Sequence, residues 1–276
     1  MSDYNVIVGV ANPENVPGLM RLGCLLANEY AGRVTAVTVI ETEHAPTPVT
    51  LAHHDRMSLG YELLEVAEQI ARCCGVQFSG RIVVLRGVAE ALDEVAEAEH
   101  ARVIIVGFSE RAHPDGDDAE FERLIDEIAH RASCDLLVAR LREPERYDRV
   151  LVPVRQRLDL EIRRDLVTAL HNQLGSQIDV VHFACTEAEA AAKHDELLAW
   201  LQDRGVAEWV KLRVDVHDDP GAAIVAASQH YDAVVLGTSP LHEVRRRYFG
   251  AVPEHVAAHA RCSTFLLRAH DILPGA

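Results

Sequence analysis

Short apolar runs bounded by polar residues punctuate the chain and recur in a fixed order. Asn5-Val6-Ile7-Val8-Gly9-Val10 is the first, and 144 positions on stands Arg149-Val150-Leu151-Val152-Pro153-Val154. Apolar runs of this length predict strands buried on both faces. Arg102-Val103-Ile104-Ile105-Val106-Gly107 is matched at an offset of 130 by Asp232-Ala233-Val234-Val235-Leu236-Gly237, and both end in glycine. Cys134-Asp135-Leu136-Leu137-Val138-Ala139-Arg140 is matched at 128 by Cys262-Ser263-Thr264-Phe265-Leu266-Leu267-Arg268. Three anchors in the same order imply a duplicated unit, with most of the extra length in the first half between its first strand and its glycine-ended strand.

Between the anchors, helical and strand patterns alternate. Helices are expected over 18–29, 59–73 and 89–99 and strands over 33–40 and 81–85. The second half repeats this with helices over 160–174, 187–203 and 222–229 and strands over 178–184 and 210–216. Strands separated by helices of this length require right-handed crossovers and a mainly parallel sheet covered on both faces. The expected architecture is therefore α/β, with two tandem doubly wound five-stranded domains over residues 1–143 and 147–276. Arg142-Glu143-Pro144-Glu145-Arg146-Tyr147, charged and broken by proline, reads as the linker. Residues 41–56, with Pro46, Pro48 and three histidines, are expected to form a surface loop.

Composition narrows the function. Asp and Glu number 43 against 27 Lys and Arg, giving a net charge of −16, which disfavours a general nucleic-acid surface and leaves room only for a local basic patch. Only Lys193 and Lys211 among those cations are lysines. A halophile would favour such a surface, and a GC-rich genome would also trade Lys for Arg. With 49% hydrophobic and 5% aromatic residues, the core must be built from aliphatic side chains. No apolar run approaches the roughly 18–20 residues of a membrane span, and no leader pattern stands at the N-terminus, so the chain is expected to be cytoplasmic. The six cysteines lack metal-ligand spacing and read as buried free thiols.

The two-copy pattern, with Gly87-Val88-Ala89 and Asp219-Pro220-Gly221 before the glycine-ended strands and a Cys-containing final strand, resembles the universal stress protein family in a tandem form. The resemblance implies an adenine nucleotide alpha hydrolase-like fold. It also implies an internal pseudo-dimer, with the final strands, 136–139 and 264–267, paired, and such a chain can form a further homodimer. Nucleotide-binding members carry glycine, two residues, glycine, nine residues, then glycine and Ser or Thr. Here Gly237-Thr238-Ser239-Pro240, nine residues and Gly250-Ala251 keep that spacing, with Pro240 and Ala251 replacing the second glycine and the hydroxyl residue.

Physical chemistry supports an anion site at that motif. Gly237 ends a parallel strand, where doubly wound sheets bind ligands. Gly250 is expected to open a helix, since Pro253 is tolerated in a first turn and Glu254 suits a helix N-terminus. Backbone N–H groups at Gly250, Ala251 and Val252 then face an anion, with Arg245-Arg246-Arg247 just upstream. A solvated charge run on an acidic surface is the other reading of those arginines. In the first half, Asp117, Asp118, Glu120 and Glu122 crowd the corresponding loop and oppose a triphosphate. The adenine-contacting Asp that the family carries after its first strand is absent from both halves, where Ala11 and Arg155 stand.

The resemblance therefore implies a regulatory protein with a modified site in the second half: Val152, Val154 and His182 around a base, and Gly237, Thr238, Arg247, Gly250, Ala251 and Val252 around phosphates, with ATP or AMP or another small anion as ligand. No metal is expected. His255 and His259 share a helical face without a third ligand, and His53-His54-Asp55 reads as a solvated group. Ser109 and Ser239 lack a hydrolase turn, Trp200 and Trp209 read as packing residues, and slow ATP hydrolysis is the least favoured activity.

A second resemblance points to a partner. Val10-Ala11-Asn12-Pro13-Glu14, Pro46-Thr47-Pro48-Val49 and Phe249-Gly250-Ala251-Val252-Pro253-Glu254 look like the paired domains of this family appended to haloarchaeal amino-acid permeases and related transporters. That implies a membrane transporter partner, with an adaptor that binds no nucleotide as the alternative function. The chain reads as a free-standing relative or as a soluble part of such a protein, and Met1 favours the former.

Overall fold

A computed structural model describes residues 4–41, 51–108, 118–143, 145–237 and 251–270. The chain divides into two compact units, Met1–Ala139 with Ala269–Ala276, and Arg140–Arg268. The first half runs β1 (Asn5–Gly9), α1 (Val16–Glu29), β2 (Arg33–Glu41), α2 (Leu51–Cys73), β3 (Gln77–Leu85), α3 (Val88–Ala98), β4 (Ala101–Gly107), α4 (Asp118–Arg131) and β5 (Asp135–Arg140). The second runs β6 (Arg149–Pro153), α5 (Arg157–Leu174), β7 (Gln177–Ala184), α6 (Glu187–Asp203), β8 (Val210–Val216), α7 (Pro220–Ala227), β9 (Ala233–Gly237), α8 (Ala251–His259) and β10 (Ser263–Arg268). The α/β alternation expected from the apolar periodicity is what forms.

Strand order is β3-β2-β1-β4-β5 in the first unit and β10-β9-β6-β7-β8 in the second, with parallel pairing at each step. In each half the chain reverses its direction of winding at the first strand, between β1 and β4 and between β6 and β9. Such a switch point opens a crevice at the carboxyl ends of the strands. The two crevices differ. β1 pairs with β4 as far as Val8↔Ile105, whereas β6 pairs with β9 only at Val150↔Ala233 and Leu151↔Val234. Where the first half has Gly9, the second has Pro153, which carries no N–H to extend the ladder. The second crevice therefore opens nearer the middle of its sheet.

Central strands are apolar and closed to solvent: Val6, Ile7 and Val8, and Val150, Leu151 and Val152, are all 0% exposed. Helices terminate by recognisable devices. Gly175, at φ 70°, ends α5, and its N–H donates to the His171 carbonyl. Thr186 and Asp219 cap α6 and α7 through their side-chain oxygens. No helix among the described residues is long and apolar enough to cross a membrane.

Two expectations need correction. Residues 51–56, expected in a loop, form the start of α2. Leu51 and Ala52 are its only apolar residues, too few for an apolar periodicity, yet no proline stands within it to interrupt helical hydrogen bonding; residues 42–50 lie outside the described set. The thiols are free but not uniformly buried: Cys24, Cys134 and Cys262 are buried, Cys73 and Cys185 are exposed and Cys74 is half-buried. Burial pushes Cys24 and Cys134 up to about 12 and Cys262 to about 11.

The tight seat of α1 on β1 yields a stability test. A methyl built on Gly23 would lie 2.8 Å from Val8 Cγ2. Gly23→Val is expected to lower the urea midpoint, at a cost of about 1–3 kcal/mol from overpacking.

Candidate binding site

The crevice between β6 and β9 holds a cavity of about 270 Å³. It is lined by residues leaving β6 (Pro153, Val154, Arg155), by Asp159 and Arg163 of α5, by Phe183 of β7, by Pro220 and Ile224 of α7, by Leu236 and Gly237 of β9, and by Ala251, Val252 and Pro253 of α8. Three helices thus begin at its rim. The first N–H groups of a helix have no acceptor within it, and the helix dipole is positive at that end, so the rim favours negative charge. Asp219 already satisfies α7. The N–H groups of Ala251 and Val252 open α8 beside the cavity.

The cavity is mostly apolar but contains two buried charges. Arg163 is 3% exposed and Asp159 is 1% exposed. Arg163 Nη1 donates to the Pro153 carbonyl, holding the guanidinium at the end of β6. Its Nε is buried and has no hydrogen-bond partner. Asp159 Oδ2 accepts from the Arg155 backbone N–H at 2.8 Å and lies 3.6 Å from Arg155 Nε, while Oδ1 is buried without a partner. Burial lowers Arg163 to about 10, and the Asp159 carboxylate acts in the opposite direction. Arg163 is therefore a cation at neutral pH.

This guanidinium also explains Gly237. A methyl built there would meet Arg163 Nε at 2.7 Å and Nη2 at 3.1 Å. The glycine is needed for the arginine of its own domain, whatever else enters the crevice.

The first half supplies an internal comparison. Val10 N–H donates to Val37 O and Val154 N–H to Val181 O, so the strand exits superimpose in register. Against Gly107, a methyl would meet Leu19 Cδ1 at 2.9 Å and Asn15 Nδ2 at 3.3 Å. Leu19 and Asn15 stand 144 positions before Arg163 and Asp159. One backbone arrangement is thus filled by a neutral pair in the first half and by a charged pair in the second.

Of the residues expected at the site, Val154, Gly237, Ala251 and Val252 line the cavity. Val152 is fully buried within β6, and His182 is not in the lining. The His182 ring instead sits 2.9 Å from the Val154 carbonyl through Nδ1, and the next residue, Phe183, reaches the cavity, as alternation along a strand requires. Thr238, Arg247 and Gly250, with Arg245 and Arg246, lie outside the described residues. Sequence reasoning missed Asp159 and Arg163, whose only signal is their position one turn apart at the start of α5.

Other candidates resolve into local packing. His259 Nδ1 contacts the His255 carbonyl at 2.8 Å, and no group of three His, Cys, Asp or Glu suited to a metal occurs among the described residues. Trp209 stacks on His171 with ring centroids 4.4 Å apart, and Arg204 lies over Trp200.

Comparison with known proteins agrees with the duplication. The pattern of the Universal stress protein family matches residues 4–140 and again 146–268. A universal stress protein from Archaeoglobus fulgidus superimposes with a TM-score of 0.70 at 14% identity, covering 98% of each chain. The cytoplasmic domain of a prokaryotic cation chloride cotransporter superimposes with a TM-score of 0.65 at 14% identity, covering 96% of this chain and 95% of that one. The Na(+)/H(+) antiporter NhaS5 of Synechocystis sp. is 26% identical over 259 residues, 91% of this chain but only 36% of the antiporter's length.

The charged pair predicts a strong thermodynamic coupling. Arg163→Leu alone leaves the Pro153 carbonyl without its donor and takes away one of the two arginines that offset buried Asp159, and is expected to cost roughly 3 kcal/mol, whereas Asp159→Asn with Arg163→Leu, the pair the first half uses, should fall within about 1 kcal/mol of the parent. Urea unfolding of the two single variants and the double variant measures the difference.

Proposed function

Proceeding from a chain that belongs to the universal stress protein family in both halves, we propose that the second half is the ligand-responsive one, binding a nucleotide or a smaller organic anion in the β6–β9 crevice. The observation that carries this reading is a buried, charged arginine facing a cavity at whose rim helices begin. Val154, Gly237, Ala251 and Val252 form its walls, with Thr238, Arg247 and Gly250 assigned to it by the spacing of the glycine motif. The reading is of a regulatory binding protein, as membership of the family in both halves supports. The first half, with Leu19 and Asn15 at the corresponding places, has no such cation and serves as the structural partner.

A second reading concerns what the ligand controls. The match to part of a sodium/proton antiporter over 91% of this chain supports a reading as a regulatory module that acts on a membrane cation transporter; an amino-acid permease of the haloarchaeal type as partner rests on the sequence resemblance alone. In that reading, occupancy of the crevice alters how the module engages the transporter. Crosslinking in membranes prepared with and without the ligand tests it: recovery of a transporter is expected, and recovery of soluble proteins alone opposes it.

Calorimetry with ATP, ADP and AMP tests the site directly. Val252→Glu places a carboxylate at the α8 N-terminus, where it suits the helix but opposes an anion in the cavity, and is expected to reduce affinity at least tenfold. Binding that uses the Arg163 charge should hold through neutral pH and fall as pH rises through about 10, since the group is protonated below that value. Binding unchanged by both the substitution and the pH would place the ligand elsewhere.

A further inference from the structure

The buried polar atoms of the crevice restrict the ligand further than its charge. Arg163 Nε is a donor without an acceptor, and Asp159 Oδ1 is an acceptor without a donor; both belong to side chains at least nine-tenths buried that line the same cavity. A buried polar atom left unpaired costs free energy, so a ligand that pairs both is favoured over one that pairs either alone. Asp159 and Arg163 are four residues apart on α5, so their side chains leave the helix about 5–6 Å apart, one above the other. The ligand must therefore present an anionic acceptor and a donor close together. The remaining wall, including Phe183, Ile224, Leu236 and Val252, is apolar, and about 270 Å³ suits a molecule below the drug-sized range.

Taking the small-anion reading above as given, we infer that the ligand is a small carboxylic acid with a hydrogen-bond donor on the adjacent carbon, an α-amino or α-hydroxy acid with an apolar side chain. Its carboxylate accepts from the Arg163 guanidinium. Its ammonium or hydroxyl group donates to Asp159 Oδ1, and its side chain lies against the apolar wall. A nucleotide pairs its phosphate with Arg163 and has a ribose hydroxyl to offer Asp159, but its polar sugar then lies against a wall that is apolar. The first half, with Leu19 and Asn15 in these places, has neither charge.

Calorimetry on the full chain with a matched series separates the requirements: leucine, 2-hydroxy-4-methylpentanoate, 4-methylpentanoate, which lacks the donor, and 3-methylbutylamine, which lacks the carboxylate, with AMP and inorganic phosphate alongside. Leucine or its hydroxy analogue should bind, and loss of either group should weaken binding at least tenfold. The tighter of the two shows whether Asp159 holds an ammonium or a hydroxyl. Asp159→Asn with Arg163→Leu should abolish the signal while the protein remains folded by circular dichroism. Equal binding of 4-methylpentanoate and leucine overturns the inference. Binding of AMP or phosphate with none of the leucine series also overturns it and leaves the anion site standing. Absence of binding by every compound overturns both.

Discussion

A buried arginine at the end of a parallel strand is the interaction around which the second half is arranged. Arg163 satisfies the last carbonyl of β6, requires a glycine at the end of β9, and is offset by Asp159 one helical turn earlier. Such a charge is tolerable only where the sheet opens. Pro153 ends the ladder between β6 and β9 early, and the cavity that follows takes the guanidinium in. Removing Asp159 leaves Arg163 buried without a carboxylate, whereas removing both returns the two positions to the chemistry of the duplicate.

Duplication makes the asymmetry readable. The same strand order, the same exit hydrogen bonds and the same strand-end glycine occur in both halves. Against that shared frame, Gly9, Asn15 and Leu19 are exchanged for Pro153, Asp159 and Arg163. At the switch point the first half is neutral where the second carries Asp159 and Arg163, and its β1–β4 ladder runs one pair further than the β6–β9 ladder. A duplicated domain can in this way keep one copy as scaffold and fit the other for a ligand.

Much of the fold was legible in the sequence, because buried parallel strands are unbroken apolar runs and the repeat fixed their order. The start of α2 was not, since Leu51 and Ala52 are the only apolar residues of 51–56 and two adjacent apolar positions give periodicity no signal. Of the expected residues that line the cavity, Gly237 came from the rule that ligands sit at strand ends, Ala251 and Val252 from the expected start of a helix, and Val154 from the family resemblance. His182 illustrates a one-residue ambiguity: the neighbouring Phe183 takes the inward position. Asp159 and Arg163 were hidden for a different reason. In the run Arg157-Leu158-Asp159-Leu160-Glu161-Ile162-Arg163-Arg164-Asp165 they resemble the charged face of a surface helix, and only the depth of the crevice distinguishes Arg163, at 3% exposure, from the exposed Arg164 beside it.

On the proposed function, the second half holds the ligand through Arg163. Nitrogen-15 NMR of the full chain resolves arginine Nε–H groups separately from backbone amides, and a titration with whichever compound binds reports on both halves at once. The Arg163 Nε–H resonance and the amides of Ala251 and Val252 are expected to shift together to saturation, while those around Asn15, Leu19 and Gly107 stay in place. Shifts centred on the first-half crevice, with Arg163 unmoved, would contradict it.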